Sequence, residues 1–167
     1  MMNKFFLFCA FLTLMMFVNT VSAQKVSKVY HKYSQLAPRL EPDFDDETIY
    51  VVSFFATWCV QCRKEIPEMV KLDRKYRNNP KVKILFVNLD DASRQRKVRP
   101  FLKKHKITGE VVSLVDPNQE KWITAIKKNW NGSLPGTLFI KGFNRKFYNY
   151  PMTYQELERN ISFMENK

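Results

Sequence analysis

Continuous apolar runs and helically spaced apolar residues alternate along this chain. Residues 49–57 and 82–89 are β-branched and aromatic with few polar interruptions, which is typical of strands buried on both faces. Between these runs, residues 60–77 place apolar side chains at helical spacing among charges, so they predict an amphipathic helix with Pro67 inside it. Two buried strands joined through a helix predict a sheet that carries helices on its faces.

The rest of the chain continues this alternation in shorter elements. Residues 33–40 predict a short helix, and residues 41–48 predict an acidic surface loop. A helix is expected around residues 98–102, a strand at residues 111–115, and another short helix over residues 122–126. Strands that alternate with helices in this way predict an α/β fold.

The C-terminal part predicts a hairpin and a closing helix. Residues 137–141 and 146–150 have the pattern of paired strands on either side of a turn at residues 142–145. Thr153 and Glu156 form a capping-box pattern ahead of apolar residues at helical spacing. No internal repeat and no long Gly/Ser linker interrupts these elements, so a single domain is predicted.

The N-terminus carries a separate apolar run that is typical of a secretory signal. Lys4 precedes a predominantly apolar stretch over residues 5–18, and small residues end at Ala23. The stretch is shorter than the ~20 apolar residues that span a bilayer. We therefore expect cleavage near Ala23, export to the periplasm or the cell-envelope exterior, and a mature domain of residues 24–167.

The composition is that of a globular domain with a strong positive charge. The chain has 167 residues, of which 45% are hydrophobic, and a formal net charge of +12. Collagen-like, low-complexity and wholly disordered classes are excluded. Seven Lys and Arg and no acid occur from Arg94 to Lys106. Such a run suits weak contact with an anionic surface, with a solvated helix face as the alternative, and predicted export argues against a nucleic-acid partner.

Removal of the signal segment would take away Cys9 and leave only Cys59 and Cys62, separated by two residues. This pair follows a predicted buried strand and starts a predicted helix, where unpaired N–H groups and the helix dipole favour an anion. A thiolate at Cys59 is therefore favoured, which indicates redox chemistry. The same spacing also fits half of a zinc site, a structural disulfide, or a copper- or zinc-binding chaperone. The two histidines of the chain are not near the pair in sequence.

Two segments carry a resemblance to a known family. Residues 55–67, FATWCVQCRKEIP, resemble the active-site segment of the thioredoxin superfamily, and are most similar to the exported TlpA/ResA-like disulfide reductases, with FWATWCxxCxxExP. Residues 130–137, WNGSLPGT, are similar to the family's loop that ends in a cis-proline. The resemblance spans about residues 33–165. It implies a thioredoxin-like fold, with a central mixed sheet flanked by helices and an inserted strand–helix unit around residues 111–115.

The resemblance also implies roles for residues of both segments. Cys59 would attack a substrate disulfide and Cys62 would resolve the mixed disulfide, with Trp58 beside them. Pro135 would follow a cis peptide bond, and the backbone of Leu134 would pair with an extended substrate segment. These roles imply a thiol–disulfide oxidoreductase that acts on protein thiols and disulfides. We expect it to act as a reductase supplied with electrons by an upstream redox protein, although the resemblance itself does not imply the direction of electron flow.

Other positions match the family's pattern or depart from it. Glu65 matches a glutamate that assists proton transfer in ResA-like members, with a solvated helix charge as the alternative. Ser53 stands where minimal thioredoxins have a buried aspartate, and Val60-Gln61 lacks proline before the second cysteine. Ala56 stands where peroxiredoxins need threonine, which argues against a peroxidase. No metal and no organic cofactor are expected, since the chain has no G-x-G-x-x-G motif.

Overall fold

The computed structural model describes residues 25–41, 43 and 47–167. The predicted signal segment, residues 1–23 with its cleavage site at Ala23, lies outside the described residues, as does part of the predicted loop at residues 41–48. No helix within the described ranges combines the length and the apolar character that a membrane crossing requires.

Six strands and five α-helices alternate through the described part of the chain. In chain order they are β1 (Lys28–Tyr30), α1 (Tyr33–Leu36) with a 3-10 turn (Ala37–Arg39), β2 (Ile49–Phe55), α2 (Cys62–Tyr76), β3 (Val82–Asn88), a 3-10 turn (Ala92–Arg94), α3 (Gln95–Lys104), β4 (Glu110–Leu114), α4 (Gln119–Ile126), β5 (Gly136–Lys141), β6 (Asn144–Tyr148) and α5 (Tyr154–Glu165). The helices and strands predicted from the apolar pattern are confirmed, with boundaries that move by a few residues.

The strands form one mixed sheet in the order β1-β4-β3-β2-β5-β6. The first four strands are mutually parallel, whereas β5 runs antiparallel to β2 and forms a hairpin with β6. The central strand β2 is buried along nearly its whole length because helices cover both faces of the sheet. This arrangement confirms the thioredoxin-like α/β fold with a central mixed sheet and flanking helices.

The helices divide into two layers that bury different sides of the sheet. Helices α2, α3 and α5 share one apolar cluster with β2 and β5, to which Ile66, Leu102, Ile161, Val51 and Phe139 belong. Helices α1 and α4 cover the opposite face, where their apolar side chains pack against Val52, Phe54 and Leu138. Side chains along β2 therefore contribute to both cores, with Val51 and Phe55 on the first face and Val52 and Phe54 on the opposite face.

Two details differ from the sequence-based prediction. Strand β1 was not predicted, because it has three residues and only Tyr30 is buried, which is too short a pattern to recognise. The hairpin turn is tighter than the predicted turn at residues 142–145, since Lys141 pairs directly with Asn144. Gly142 has a φ of 51°, a left-handed conformation that glycine adopts without steric cost, and this allows the chain to reverse early.

Candidate functional site

The cysteine pair lies where β2 ends and α2 begins. Cys59 and Cys62 are joined by a disulfide, with their Cα atoms 5.3 Å apart. Cys62 is the first residue of α2 and fully buried, whereas Cys59 precedes the helix and retains 5% of its exposure. The backbone N–H of Cys62 donates a hydrogen bond to Sγ of Cys59 at 3.0 Å. The predicted position of the pair, after a buried strand and at a helix start, is confirmed.

An exposed apolar rim, formed by Trp58 and Val60, flanks Cys59. Trp58 is 53% exposed and Val60 is 63% exposed, so the residues on both sides of Cys59 face solvent. Arg63 lies beside this segment, with its Nη2 donating to the carbonyl oxygen of Thr57 at 3.3 Å. Exposed aromatic and branched side chains next to a nearly buried cysteine form a surface suited to another polypeptide.

The loop before β5 closes the site from the other side. The Leu134–Pro135 peptide bond is cis, as the resemblance implied. The indole Nε1 of Trp130 holds the loop by donating to the carbonyl oxygen of Ser133 at 2.9 Å. Leu134 packs against the cluster that contains both cysteines. Within the described residues neither its backbone N–H nor its carbonyl makes a hydrogen bond.

Glu65 is buried in the first turn of α2, so the alternative of a solvated helix charge is wrong. Its side chain is 1% exposed. Its Oε1 accepts hydrogen bonds from Oγ1 of Thr137 at 2.9 Å and from the backbone N–H of Met152 at 3.3 Å. Burial raises the pKa of Glu65 to about 7 from an ordinary value of 4.5, against the two hydrogen bonds, which lower it. The carboxyl group therefore changes its protonation near neutral pH.

A second buried hydroxyl lies on the same face of the sheet as Glu65. Ser53 on β2 is fully buried and pairs in register with Thr137 on β5, so the two side chains project to the same side. The Oγ of Ser53 has no hydrogen-bond partner among the described protein atoms. Ser53 thus places a neutral polar group on the same side of the sheet as the Thr137–Glu65 hydrogen bond.

A buried network around Asp90 holds the segment before Cys59, and sequence reasoning missed it. Asp90 is fully buried. Its carboxylate accepts hydrogen bonds from the backbone N–H of Thr57 at 3.0 Å, from Oγ1 of Thr57 at 2.9 Å and from Nδ2 of Asn88 at 2.7 Å. Asn88 in turn accepts from Ser113 on β4 at 3.2 Å. An aspartate directly after a buried strand, at the sheet edge that also carries the cysteines, was the available signal.

The segment from Arg94 to Lys106 forms α3 and its flanks on the face that α2 covers. Val98, Phe101 and Leu102 point into the core, and the charged side chains are exposed or half-exposed. In the described parts of the chain, no three His, Cys, Asp or Glu side chains are grouped so that they could hold a metal ion.

Fold and site together define a thioredoxin-like protein with a CxxC disulfide at a helix start, the class to which thiol–disulfide oxidoreductases belong. The sequence profile described as the AhpC/TSA family matches residues 38–144, and the chain belongs to this family. The chain is 30% identical over 115 residues to thioredoxin-like protein YneN of Bacillus subtilis (strain 168). That match covers 66% of this chain and 62% of the relative, so it spans less than two thirds of the relative's length.

Solved structures share the fold at low sequence identity. A thiol:disulfide interchange protein of the thioredoxin family from Chlorobium tepidum TLS is 20% identical with a TM-score of 0.61, over 72% of this chain and 81% of that one. A secreted thiol-disulfide isomerase from Corynebacterium glutamicum is 12% identical with a TM-score of 0.61, over 73% of each chain. These similarities establish the common fold.

Proposed function

We propose that this protein is an exported thiol–disulfide oxidoreductase that reduces disulfides in protein substrates. The asymmetry of the cysteine pair carries the proposal. Of the two cysteines only Cys59 retains any exposure, and its Sγ accepts a hydrogen bond from the Cys62 N–H at the positive end of α2. Both interactions stabilise a thiolate at Cys59 after reduction, and a thiolate is the nucleophile in disulfide exchange.

The reaction begins with the reduced protein. The Cys59 thiolate attacks one sulfur of a substrate disulfide, a mixed disulfide forms, and the other substrate sulfur leaves as a thiolate that takes up a proton. Cys62 then loses its proton and attacks Sγ of Cys59. This second step releases the remaining substrate thiolate and forms the Cys59–Cys62 disulfide. The substrate gains two electrons and two protons, and an upstream redox protein must restore the dithiol.

Glu65 is proposed to receive the proton that Cys62 loses. It lies three residues after Cys62 in α2, and both side chains are buried on the same side of the helix. A buried thiol does not ionise readily, so resolution of the mixed disulfide needs a base nearby. A carboxyl group with a pKa of about 7 accepts and releases a proton near neutral pH.

Substrate would bind across the surface formed by Trp58 and the cis-proline loop. The Leu134 backbone has an N–H and a carbonyl that form no hydrogen bonds within the described residues. An extended substrate segment could use both groups by β-pairing, which gives affinity through main-chain contacts. The exposed indole of Trp58 would cover the apolar side of that segment.

Export and the direction of electron flow complete the proposal. The residue pattern over positions 1–23 is that of a secretory signal. The protein from Corynebacterium glutamicum that shares this fold is a secreted one. In an oxidising compartment a CxxC protein reduces others only when a partner keeps supplying electrons.

The experiment that tests the proposal traps the mixed disulfide. Cys62→Ala removes the resolving sulfur, so substrate proteins should remain linked to Cys59 and be released by dithiothreitol. Cys59→Ala, made in the same background, is the matched control and should capture nothing. Equal capture by both variants, or wild-type protein that fails to reduce insulin, would refute the proposal.

A further inference from the structure

An unneutralised basic surface lies on α3 and the turn that follows it. Its exposed cations are Arg96, Lys97, Arg99, Lys103, Lys104 and Lys106. None of the six forms an ion pair within the described residues, whereas Arg94 lies 3.9 Å from Asp91. We call these six residues the α3 basic surface.

The geometry of α3 concentrates part of this charge in one stripe. At about 100° per residue, Arg96, Arg99 and Lys103 fall within an arc of roughly 60° on the side away from the buried Val98. Like charges three and four residues apart on a helix destabilise it by about 0.2–0.5 kcal/mol per pair. On a solvated helix face, acidic side chains between the basic ones would relieve this repulsion. The sequence has no Asp or Glu from position 92 to 109. The stripe therefore lowers the stability of α3 unless an anion binds to it.

One end of the α3 basic surface lies near Arg63, beside the segment that carries Cys59. Phe101 of α3 stacks on Phe55 at the end of β2, with ring centroids 5.7 Å apart. His105 packs on Phe101 at 4.3 Å. Burial, together with the charges of Lys104 and Arg63, lowers the pKa of His105. Since Arg63 also contacts the Thr57 carbonyl, positive charge extends from α3 to the segment that carries Cys59.

We propose that the α3 basic surface docks an acidic segment of the disulfide-containing protein substrate. This inference rests on the proposed function. An occupant of the surface near Lys104 would also lie close to the segment that carries Cys59, because Lys104 and Arg63 both lie near His105 and Arg63 contacts the Thr57 carbonyl. A protein that carries both acids and a disulfide satisfies both requirements, whereas an anionic lipid surface brings no disulfide to the sulfur pair. Complementary charge at such a rim acts mainly by accelerating productive encounter.

The test measures single-turnover reduction of three disulfide peptides that differ only in flanking residues, which are glutamate, glutamine or lysine. Wild-type protein, reduced with dithiothreitol and then freed of it, should reduce the glutamate peptide at least about tenfold faster than the lysine peptide at low salt. The preference should fall to within about twofold in 1 M salt, where the screening length is about 3 Å.

Two variants that remove the same number of charges distinguish an effect of the α3 basic surface from an effect of net charge. R96Q/R99Q/K103Q neutralises the stripe and should lose most of the preference. R74Q/K81Q/K83Q removes the same charge from exposed positions at the end of α2 and the start of β3, away from the site, and should keep it. The glutamate peptide should also shift the NMR signals of the His105 ring but not those of His31, the only other histidine.

Each remaining outcome decides between the two proposals. If the glutamine peptide is not reduced, the proposed function fails. If that peptide is reduced but the glutamate peptide has no advantage, the docking proposal alone is overturned. Stripe-dependent binding to phosphatidylglycerol vesicles without any peptide preference would likewise overturn it, in favour of a lipid contact.

Discussion

Replacing Glu65 with glutamine should change how the stability of the oxidised protein depends on pH. Glutamine keeps the shape of the side chain and an oxygen that can accept from Thr137 and from the Met152 N–H. It removes the titrating proton. The comparison therefore isolates the free energy of ionising a carboxyl group at this buried position.

The magnitude follows from the pKa of Glu65 in the folded protein. A value of about 7 against the ordinary 4.5 is a difference of about 2.5 pH units, worth about 3 kcal/mol at 1.36 kcal/mol per unit. Between these pH values the folded protein retains a proton that the unfolded chain has released. The contribution of Glu65 to stability is thus fully present below about pH 4.5 and is lost as the pH rises through about 7.

Urea unfolding followed by tryptophan fluorescence, with the disulfide intact, measures this effect at a series of pH values. The free energy of unfolding of Glu65→Gln relative to wild type should increase by about 3 kcal/mol from pH 4 to pH 8. His105, whose pKa is lowered by burial and by the charges of Lys104 and Arg63, contributes a slope of opposite sign below its ordinary pKa, but it is present in both proteins and cancels. Glu68→Gln, on the same helix, controls for net charge. A difference between Glu65→Gln and wild type that stays constant with pH would refute the reasoning.

Other contacts around the site give expected outcomes of their own. Asp90→Asn replaces one acceptor oxygen with an NH2 group that faces the donors of Thr57. The free energy of unfolding in urea should therefore fall by about 1–3 kcal/mol. An unchanged urea midpoint would contradict this role. Thr137→Val removes a donor to Glu65, so the Glu65 pKa, followed by carboxyl NMR, should rise above about 7, and a fall would show that the contact does not stabilise the carboxylate. Thr153→Ala removes the capping box of α5 and should cost about 1 kcal/mol in thermal unfolding, so an unchanged Tm would mean that the cap adds nothing.

The order of elements and the position of the cysteine pair were predictable because they depend on local patterns. A strand that is apolar on both faces, such as β2, is buried only when helices cover both faces of the sheet. The helical spacing of apolar residues after it predicts that α2 covers one of those faces. The capping box at Thr153 is likewise a contact between near neighbours. The short β1 and the tight turn at Gly142 escaped prediction, since each depends on pairing with a neighbouring strand.

The chemistry of the site depends on contacts between distant parts of the chain. The partners of Glu65 are 72 and 87 residues away, in β5 and before α5, and only the folded arrangement buries the carboxyl group among them. Asp90 reaches Thr57 across 33 residues in the same way.

The sequence by itself determined the fold class, the strand before the cysteines and the helix after them, because hydrophobic periodicity is a property of consecutive residues. The tertiary structure alone decided that Glu65 is buried, that Asp90 holds the loop before Cys59, and that Phe101 of α3 stacks on Phe55 at the end of the strand before the cysteines. Burial and electrostatic environment are set by whatever packs against a residue, and a linear pattern does not specify that neighbour.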